Sequence, residues 1–476
     1  MCDPVFPYSK KRISTSYHCR RVGKLLQTNP NERAVIYHRG GQGAVRDDTD
    51  VEVDFRQESY FFYLSGVEHP GFHILVDLYN DTIYLIPPTV PDTEILWKGE
   101  PDTAKELLEI YDADKVIAEA DVPALLQVLC PQVVYVLDTV DTSIIKAAGI
   151  HECQLDKVCL RVAMDESRLI KFPWEIEHIR YAAQISSHAH MALMQRAQAG
   201  QPESYCEALF RWVCARNGMP RQCYIPIIAS GSRAATLHYT RNDKTLPEGE
   251  HAMLLVDAGG ERFCYGSDVT RTFPISGRFS SEAKTIYEIV LKMQETILSQ
   301  LKPGAMWAGL HNLGVYILCQ ELIRIGILVG GTHEELLHLG LPRAFYFHGT
   351  GHSVGLDVHD VGGRTAGVLT NSYHERKIQS QMLISRPLKK NMVLTVEPGL
   401  YFNPTSIAMW TQKPGYAKYF NMDMINKYMP VGGVRIEDTV VLTEDGYDNL
   451  TIAPKTVNDI EALMACRAQS YMDSMP

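Results

Sequence analysis

The chain has 476 residues, of which 45% are hydrophobic and 21% charged, and its formal net charge is −10. This length allows more than one domain, and the acidic balance without a long Lys or Arg run argues against a general nucleic-acid-binding surface. No window approaches the ~18 consecutive apolar residues of a membrane helix, so we expect neither nucleic acid nor membrane as a partner.

The cysteines and the first residues bear on the cellular compartment. Eleven cysteines are scattered from Cys2 to Cys466, an odd number without a Cys-x-x-Cys pair. This pattern is typical of reduced thiols rather than of a disulfide framework. Because the stretch from Met1 to Pro7 lacks the apolar run of a signal peptide, we expect a cytoplasmic protein.

The first third of the sequence alternates apolar runs rich in Val, Ile and Tyr with polar segments. Strands are predicted at 34–37, 74–78, 83–86 and 133–137. A helix is predicted around 103–111, between the third and fourth strands. Strands that alternate with helices indicate an α/β layer.

A change of pattern near Arg168 marks a predicted domain boundary. Pro173 opens a strongly helical stretch that we expect to continue to Gln198, because proline suits the first turn of a helix. A second helix is predicted after Ser281, with Ile286, Ile289, Val290, Met293 and Ile297 on its apolar face. We therefore predict one domain over residues 1–168 and another over 169–476.

The stretch 402–430 is rich in Pro, Gly, Asn, Met and Tyr and has no clean period. It is too apolar for a solvated linker. We predict an ordered loop between two strands.

Several apolar, strand-like runs of the second domain lead into an acidic residue or a glycine-flanked histidine. The residues concerned are Asp257, Asp268, His352, Glu397 and Glu437. Taken singly, each acid is most simply a solvated strand end or half of a salt bridge. A buried carboxylate needs a partner, however, and a cation is the partner that accounts for several at once. Oxygen-rich ligation with one imidazole suits a hard or borderline ion, with manganese as a natural candidate.

These segments resemble the metal-binding signature of the pita-bread metallopeptidases, a family that includes methionine aminopeptidase, aminopeptidase P, prolidase and creatinase. The family's five ligands, in the order Asp, Asp, His, Glu, Glu, fall on the five residues named above. The run 55–66, FRQESYFFYLSG, is similar to the N-terminal signature of prolidase and aminopeptidase P. The resemblance implies an α/β (α+β) fold, with a creatinase-like α/β domain before a catalytic pita-bread domain.

The resemblance also implies roles for the five ligands. Two divalent metal ions per subunit, most simply Mn²⁺, would be held, with Asp257 on one ion and His352 and Glu397 on the other. Asp268 and Glu437 would bridge both ions. A metal-bridging hydroxide would attack the scissile carbonyl, and Glu397 would carry the proton to the departing proline nitrogen.

Four further residues match positions that the family uses around its substrate. His238 and His359 resemble the pair that grips the substrate or stabilises the tetrahedral intermediate, although each has a simpler interpretation as a satisfied, half-buried histidine. His348 would lie at the pocket wall. Arg435 would hold a carboxylate ligand or the substrate's C-terminus, with a surface salt bridge as its alternative. Together with Glu397, the residues His238, His359 and Arg435 form the predicted catalytic set.

The leading functional prediction is a prolidase of the eukaryotic type, a homodimer that hydrolyses Xaa-Pro dipeptides. The VHDVGG run at 358–363 favours this interpretation. One departure weakens it, because Leu383 stands where prolidases often carry an arginine. Two alternatives stay open: an aminopeptidase P that acts on longer X-Pro peptides, and a catalytically inactive pita-bread module that binds other proteins.

Overall fold

The computed structural model describes residues 13–26, 29, 31–363, 384 and 386–466. The chain divides into two compact units: the N-terminal unit ends at Leu169 and the C-terminal unit begins at Ile170. Both units combine helices with strands, as the mixed α/β prediction requires. Over the described ranges, no helix is long and apolar enough to cross a membrane.

The N-terminal unit is built on a mixed six-stranded sheet. Its strands are β1 (Ala34–Arg39), β2 (His73–Asp77), β3 (Thr82–Ile86), β4 (Lys115–Val116), β5 (Val133–Tyr135) and β6 (Leu155–Asp156). The spatial order is β4-β3-β2-β1-β5-β6. Strand β2 is antiparallel to both of its neighbours, β1 and β3, and the other three pairs are parallel. All four predicted strands are confirmed, and the apolar side chains of β1 and β2 are buried.

Seven helices of the N-terminal unit are described. They are α1 (Ser16–Leu25), α2 (Ser59–Ser65), α3 (Asp92–Lys98), α4 (Ala104–Ile110), α5 (Val122–Leu129), α6 (Ser143–Ala147) and α7 (Cys159–Leu169). The predicted helix at 103–111 is confirmed as α4. It begins after Thr103, whose hydroxyl accepts the Glu106 N–H while the Glu106 carboxylate accepts the Thr103 N–H. This reciprocal cap satisfies two N–H groups that a helix start leaves without partners.

The C-terminal unit contains several small antiparallel sheets. Its strands are β7 (Ile227–Ser230), β8 (Met253–Asp257), β9 (Glu261–Arg262), β10 (Tyr265–Gly266), β11 (Thr270–Pro274), β12 (Val393–Val396), β13 (Gly399–Tyr401), β14 (Gly433–Arg435), β15 (Asp438–Leu442) and β16 (Tyr447–Asn449). They pair in the orders β11-β8-β7, β12-β15-β16, β13-β14 and β10-β9. The ends of these sheets position the candidate site.

Helices pack on these sheets through a large apolar core. They are α8 (Pro173–Arg196), α9 (Glu203–Arg216), α10 (Ser281–Ser299), α11 (Trp307–Arg324), α12 (His333–His338), α13 (Pro404–Thr411), α14 (Met422–Tyr428) and α15 (Val457–Ala465). The two helices predicted in this unit are confirmed as α8 and α10. The predicted apolar face of α10 is buried in full.

The prediction of a loop over 402–430 is wrong, because the stretch contains α13 and α14. The flanking strands β13 and β14 are present, as predicted. Asn403 accepts the N–H groups of Thr405 and Ser406 through its side chain, and Pro404 occupies the first helical position. Asn421 caps α14 in the same way. Asparagine and proline, which suggested a loop, here begin helices instead.

Candidate active site

Strand register brings the predicted acids together. Thr270, at the start of β11, pairs with Asp257 at the end of β8 and forms a bridge to Glu437 on its other side. The pairing of β12 with β15 sets Val396 opposite Asp438. Glu397 directly follows β12 and Glu437 directly precedes β15, so the antiparallel pairing brings these two acids to the same end of the sheet.

Three of the predicted ligands, Asp268, His352 and Glu437, offer donor atoms that all lie within 4.8 Å of one another. The Nε2 atom of His352 is 3.3 Å from Asp268 Oδ2 and 3.5 Å from Glu397 Oε1. Asp257 joins the group through Tyr224, whose hydroxyl oxygen lies within hydrogen-bond distance of both aspartates, so that its one hydrogen is shared between them. The structure thus gathers all five predicted ligands.

His352 presents the nitrogen that a metal would need. Its Nδ1 lies 3.1 Å from the carbonyl oxygen of Ser353, to which it can donate a hydrogen bond. A neutral ring then carries its lone pair on Nε2, the atom that faces Asp268 and Glu397. Metal-binding histidines commonly donate their other ring N–H in this manner.

Burial and mutual repulsion disfavour the ionised forms of the clustered carboxylates. Burial and the neighbouring acids raise the pKa of Asp268 and of Glu437 well above the usual range. Burial and the charge of Glu437 raise the pKa of Glu397 to about 8. A bound cation removes this penalty, because it stabilises the charged form of each acid. Four carboxylates and one imidazole therefore fit a pair of divalent metal ions.

Arg435 is buried within this cluster, so its alternative as a surface salt bridge is wrong. Its guanidinium donates to Asp257 Oδ2 at 2.5 Å and to the hydroxyl of Thr270 at 3.1 Å. A third hydrogen bond, of 3.0 Å, reaches the hydroxyl of Tyr401. Arg435 thus holds a predicted ligand, which is one of the two roles expected of it.

His348 belongs to the same hydrogen-bond chain. Burial lowers its pKa to about 3, and the positive charge of Arg435 acts in the same direction. The neutral ring can donate from Nδ1 to the carbonyl of Gly349 at 2.7 Å, which leaves Nε2 to accept from Tyr401 at 2.8 Å. Tyr401 therefore accepts from Arg435 and donates to His348, and so fixes the ring.

The other two predicted histidines also face the site. The ring of His359 lies 4.3 Å from that of His352. The charge of His352, together with burial, lowers the pKa of His359 to about 3. His238 is exposed, and its charge contributes to the lowered pKa of both His348 and His359. Substrate contact by these residues stays a prediction.

Besides Thr270 and Tyr401, two further residues at the site were missed from the sequence. Tyr224 donates to Asp257 at 2.6 Å and to Asp268 at 2.5 Å, and so links the two aspartates. Gln294 is buried on α10, where its amide group donates to the carbonyls of Val396 and Ile436. Each carbonyl directly precedes a predicted ligand. Neither residue carries a local sequence signal, since both act only through tertiary contacts.

Two acids that neighbour site residues in the sequence, Asp438 and Asp360, form ion pairs with basic residues. Asp438 forms ion pairs of 2.7 Å with Arg271 and with Lys455. Asp360 forms a buried ion pair of 2.8 Å with Lys171. Leu383 lies outside the described residues, so the significance of the missing arginine stays a prediction.

Comparisons with known proteins agree with this geometry. The profile of metallopeptidase family M24 matches residues 177–444, and that of the aminopeptidase P N-terminal domain matches residues 18–135. A probable Xaa-Pro aminopeptidase PEPP of Paracoccidioides lutzii is 39% identical over 457 residues, which cover 94% of this chain and 96% of the relative.

Solved structures show the same architecture. Aminopeptidase PepP of Pseudomonas aeruginosa is 30% identical with a TM-score of 0.80, over 96% of this chain and 99% of its own. Zinc-substituted aminopeptidase P of Escherichia coli in complex with product is 29% identical with a TM-score of 0.79, over 97% and 100%. The predicted fold, an N-terminal α/β domain followed by a pita-bread domain, is confirmed. The chain belongs to metallopeptidase family M24, with an N-terminal domain of the aminopeptidase P type.

Proposed function

We propose that this metallopeptidase is an Xaa-Pro aminopeptidase, which removes the first residue of peptides that carry proline second. The gathering of Asp268, His352 and Glu437 carries the proposal of metal-dependent hydrolysis. The relatives named as Xaa-Pro aminopeptidases over nearly the whole chain support the substrate class. They favour the alternative prediction, aminopeptidase P, over the leading prediction of a dipeptidase.

The five clustered ligands would hold two divalent metal ions. When bound, such a pair lowers the pKa of a water molecule and polarises the scissile carbonyl, so that no serine or cysteine nucleophile is required. Manganese remains our preferred metal, since carboxylate oxygens dominate the donor set.

Glu397 is placed for proton transfer. Its Oε1 lies 3.5 Å from His352 Nε2, on the side of the proposed ligands. Its Oε2 lies 3.7 Å from His348 Nδ1, on the side of the proposed substrate wall. One oxygen can therefore ligate while the other accepts a proton and returns it to the proline nitrogen of the leaving peptide.

The histidines around the ligands would bind the peptide. His359 and His348 have lowered pKa values, so each ring is neutral near pH 7. The single N–H of His348 donates to the Gly349 carbonyl, so this ring would line the pocket wall, and the N–H of His359 would donate to the substrate. A neutral donor can bind a substrate carbonyl oxygen without adding charge to a site that must also hold cations. His238 would contact the substrate from the exposed side, and Arg435 would hold Asp257 in place.

Hydrolysis of two substrates tests the proposal. Gly-Pro and a pentapeptide with proline second are incubated with metal-stripped protein, before and after addition of Mn²⁺, Zn²⁺ or Mg²⁺. We expect metal-dependent release of the first residue of the pentapeptide. A pentapeptide with alanine second is the control and should stay intact. Cleavage of the dipeptide alone would restore the prolidase prediction, and no cleavage by metal-loaded protein would favour a binding module.

Two further expectations from the sequence accompany the proposal. A homodimer is expected by analogy with relatives, and light scattering of the purified protein measures the mass directly. A cytoplasmic location is expected from the sequence, and fractionation of the source cells tests it.

A further inference from the structure

Helix α9 holds the segment that carries His238. This segment, residues 230–244 and here named the His238 segment, starts at the last residue of β7 and leads towards β8. Glu203 is the first residue of α9, and its side chain is fully buried. Its carboxylate accepts five hydrogen bonds, from Ser230 N (3.2 Å), Ser230 Oγ (2.7 Å), Arg233 Nε (3.1 Å), Tyr239 Oη (2.8 Å) and Lys244 N (3.1 Å).

All five of these donors belong to the His238 segment. The backbone N–H of Glu203 also donates to the carbonyl of Lys244 at 2.7 Å. A buried carboxylate is stable only while donors replace its lost water. Each donor that moved away would leave part of that cost uncompensated, so the segment and the carboxylate hold each other in place.

A second carboxylate of α9 supports the same segment one turn further along. Glu207 accepts from the side-chain amide of Asn242 at 2.8 Å. Asn242 is buried with a φ of 48°, in the left-handed region, and its side-chain oxygen accepts the Ile228 N–H at 3.0 Å. Asparagine tolerates this backbone conformation better than most residues. The His238 segment is thus held by two carboxylates of α9, one turn apart.

The anchor lies next to the proposed substrate contact. Tyr239 points into the core, where it meets Glu203, whereas the preceding residue, His238, is exposed. The direction of His238 is therefore set by the residue beside it. The charge of His238 contributes to the lowered pKa values of His348 and His359 at the site.

We propose that Glu203 is a positioning residue, which holds the His238 segment so that His238 meets the peptide substrate. The proposal deepens the proposed function and rests on it, since it assigns His238 a substrate contact. The hydrogen bonds of the Glu203 carboxylate go to the His238 segment and, among the described residues, to none of the predicted ligands. Its effect on turnover should therefore pass through His238.

A double-mutant cycle tests this dependence on the full-length, metal-loaded protein. Glu203→Gln keeps the size of the side chain but replaces one accepting oxygen by an NH₂ group, which cannot accept from the donors of the His238 segment. We therefore expect kcat/KM to fall about tenfold. Tyr239→Phe removes one donor with little risk to folding and should lower kcat/KM in the same direction. In a His238→Ala background, neither change should lower kcat/KM by more than about twofold, because coupled residues are not additive.

Asp243→Asn is the matched control, because this acid is an exposed residue of the same segment and asparagine keeps the oxygen that accepts from Tyr239 Oη at 3.4 Å. It should leave kcat/KM, metal content and melting temperature unchanged. Metal content should also be unchanged in the Glu203 and Tyr239 variants. Equal losses with and without His238 would overturn the proposal.

Hydrogen exchange of the substrate-free protein gives a readout that does not need activity. Exchange within the His238 segment should accelerate in Glu203→Gln and in Tyr239→Phe, and stay unchanged in Asp243→Asn. Unchanged exchange in both variants would also overturn the proposal. Lack of turnover by the parent protein would count against the aminopeptidase function, whereas exchange would still decide whether Glu203 holds the segment.

Discussion

Asp268 and Glu437 each offer a donor atom to the same small cluster, and each is buried. Asp268→Asn and Glu437→Gln remove a charge without changing size. We expect each variant to lose stoichiometric metal and to lower kcat/KM by roughly a hundredfold or more, since both ions share these acids in the proposed site. Metal analysis and peptide hydrolysis on the same samples measure the two effects.

Asp445→Asn serves as the control for these variants, because Asp445 is an exposed acid of the same unit. It should retain both metal and turnover. Full turnover in Asp268→Asn would contradict the two-metal proposal.

Tyr224 links Asp257 and Asp268 through one hydroxyl. Tyr224→Phe removes the hydroxyl and leaves the ring, so the ligands stay but lose their common donor. Loss of such a supporting contact weakens metal affinity by about 10- to 100-fold in known sites. A competition titration against a chelator measures the change, with Tyr316→Phe, a tyrosine on the outer part of α11, as control. An unchanged affinity would mean that the strand register alone orients the aspartates.

The predicted acids and the missed residues Tyr224 and Gln294 differ in how far the sequence alone identifies them. The acids could be found because each ends or follows an apolar run, and their order matches a known family. Tyr224 and Gln294 could not, since a hydroxyl or an amide becomes important only where distant backbone segments meet it. Arg435 lies between these cases: its strand position was evident, but its burial was not.

At the scale of elements, long helices with a regular apolar spacing were predictable, whereas short helices that begin at Asn and Pro were not. Helices α8 and α10 have long apolar faces, so their existence followed from spacing. Helices α13 and α14 are short, and their Asn caps suit turns as well as helix starts. Only packing against the core, with Ile407 and Ile425 buried, decides between the two.

A buried ion pair ties α8 to the segment that carries His359. Lys171, two residues before α8, is 2% exposed, and its partner Asp360 is 1% exposed. Lys171→Met removes one cation from a buried ion pair, and we expect a loss of about 3–5 kcal/mol in the free energy of unfolding. Adding Asp360→Asn should recover much of the loss. Urea unfolding of the single and double variants measures both values.

An exposed ion pair provides the comparison for this prediction. Lys284 and Glu288 lie 3.8 Å apart on the surface of α10. Lys284→Met should change stability by no more than about 0.5 kcal/mol, because exposed pairs contribute little. An equally small effect of Lys171→Met would show that water or other polar groups compensate the Asp360 carboxylate.

At the scale of the whole molecule, the two units differ in what their buried groups do. All predicted ligands lie in the C-terminal unit, whereas the buried histidines in the described part of the N-terminal unit belong to no acidic cluster of that kind. Burial lowers the pKa of His73 on β2 to about 4, and the charge of Arg39 adds to the effect.

This shift predicts a pH dependence of the N-terminal unit. Between pH 6.5 and 4 the unfolded chain takes up a proton that folded His73 does not, so unfolding is favoured as the pH falls. The stability is present above pH 6.5, and on the order of 3 kcal/mol is lost by pH 4. Hydrogen exchange in β1 to β3, corrected for intrinsic rates, follows the loss. His73→Gln should flatten the profile, and the exposed-site variant His151→Gln should not.

Metal binding should act on the other unit. A ligand that binds only the folded state stabilises it by RT ln(1 + [L]/Kd), about 2.7 kcal/mol at a hundred times Kd. Exchange that requires opening of β8, β11 or β12 should therefore slow by roughly 100-fold when Mn²⁺ is added at that excess. The amides of β1 to β3 are the internal control and should not respond. Slowing that persists in Asp268→Asn would show that the ion binds elsewhere, because β8, β11 and β12 would contribute to metal binding only through the acids at or next to their ends.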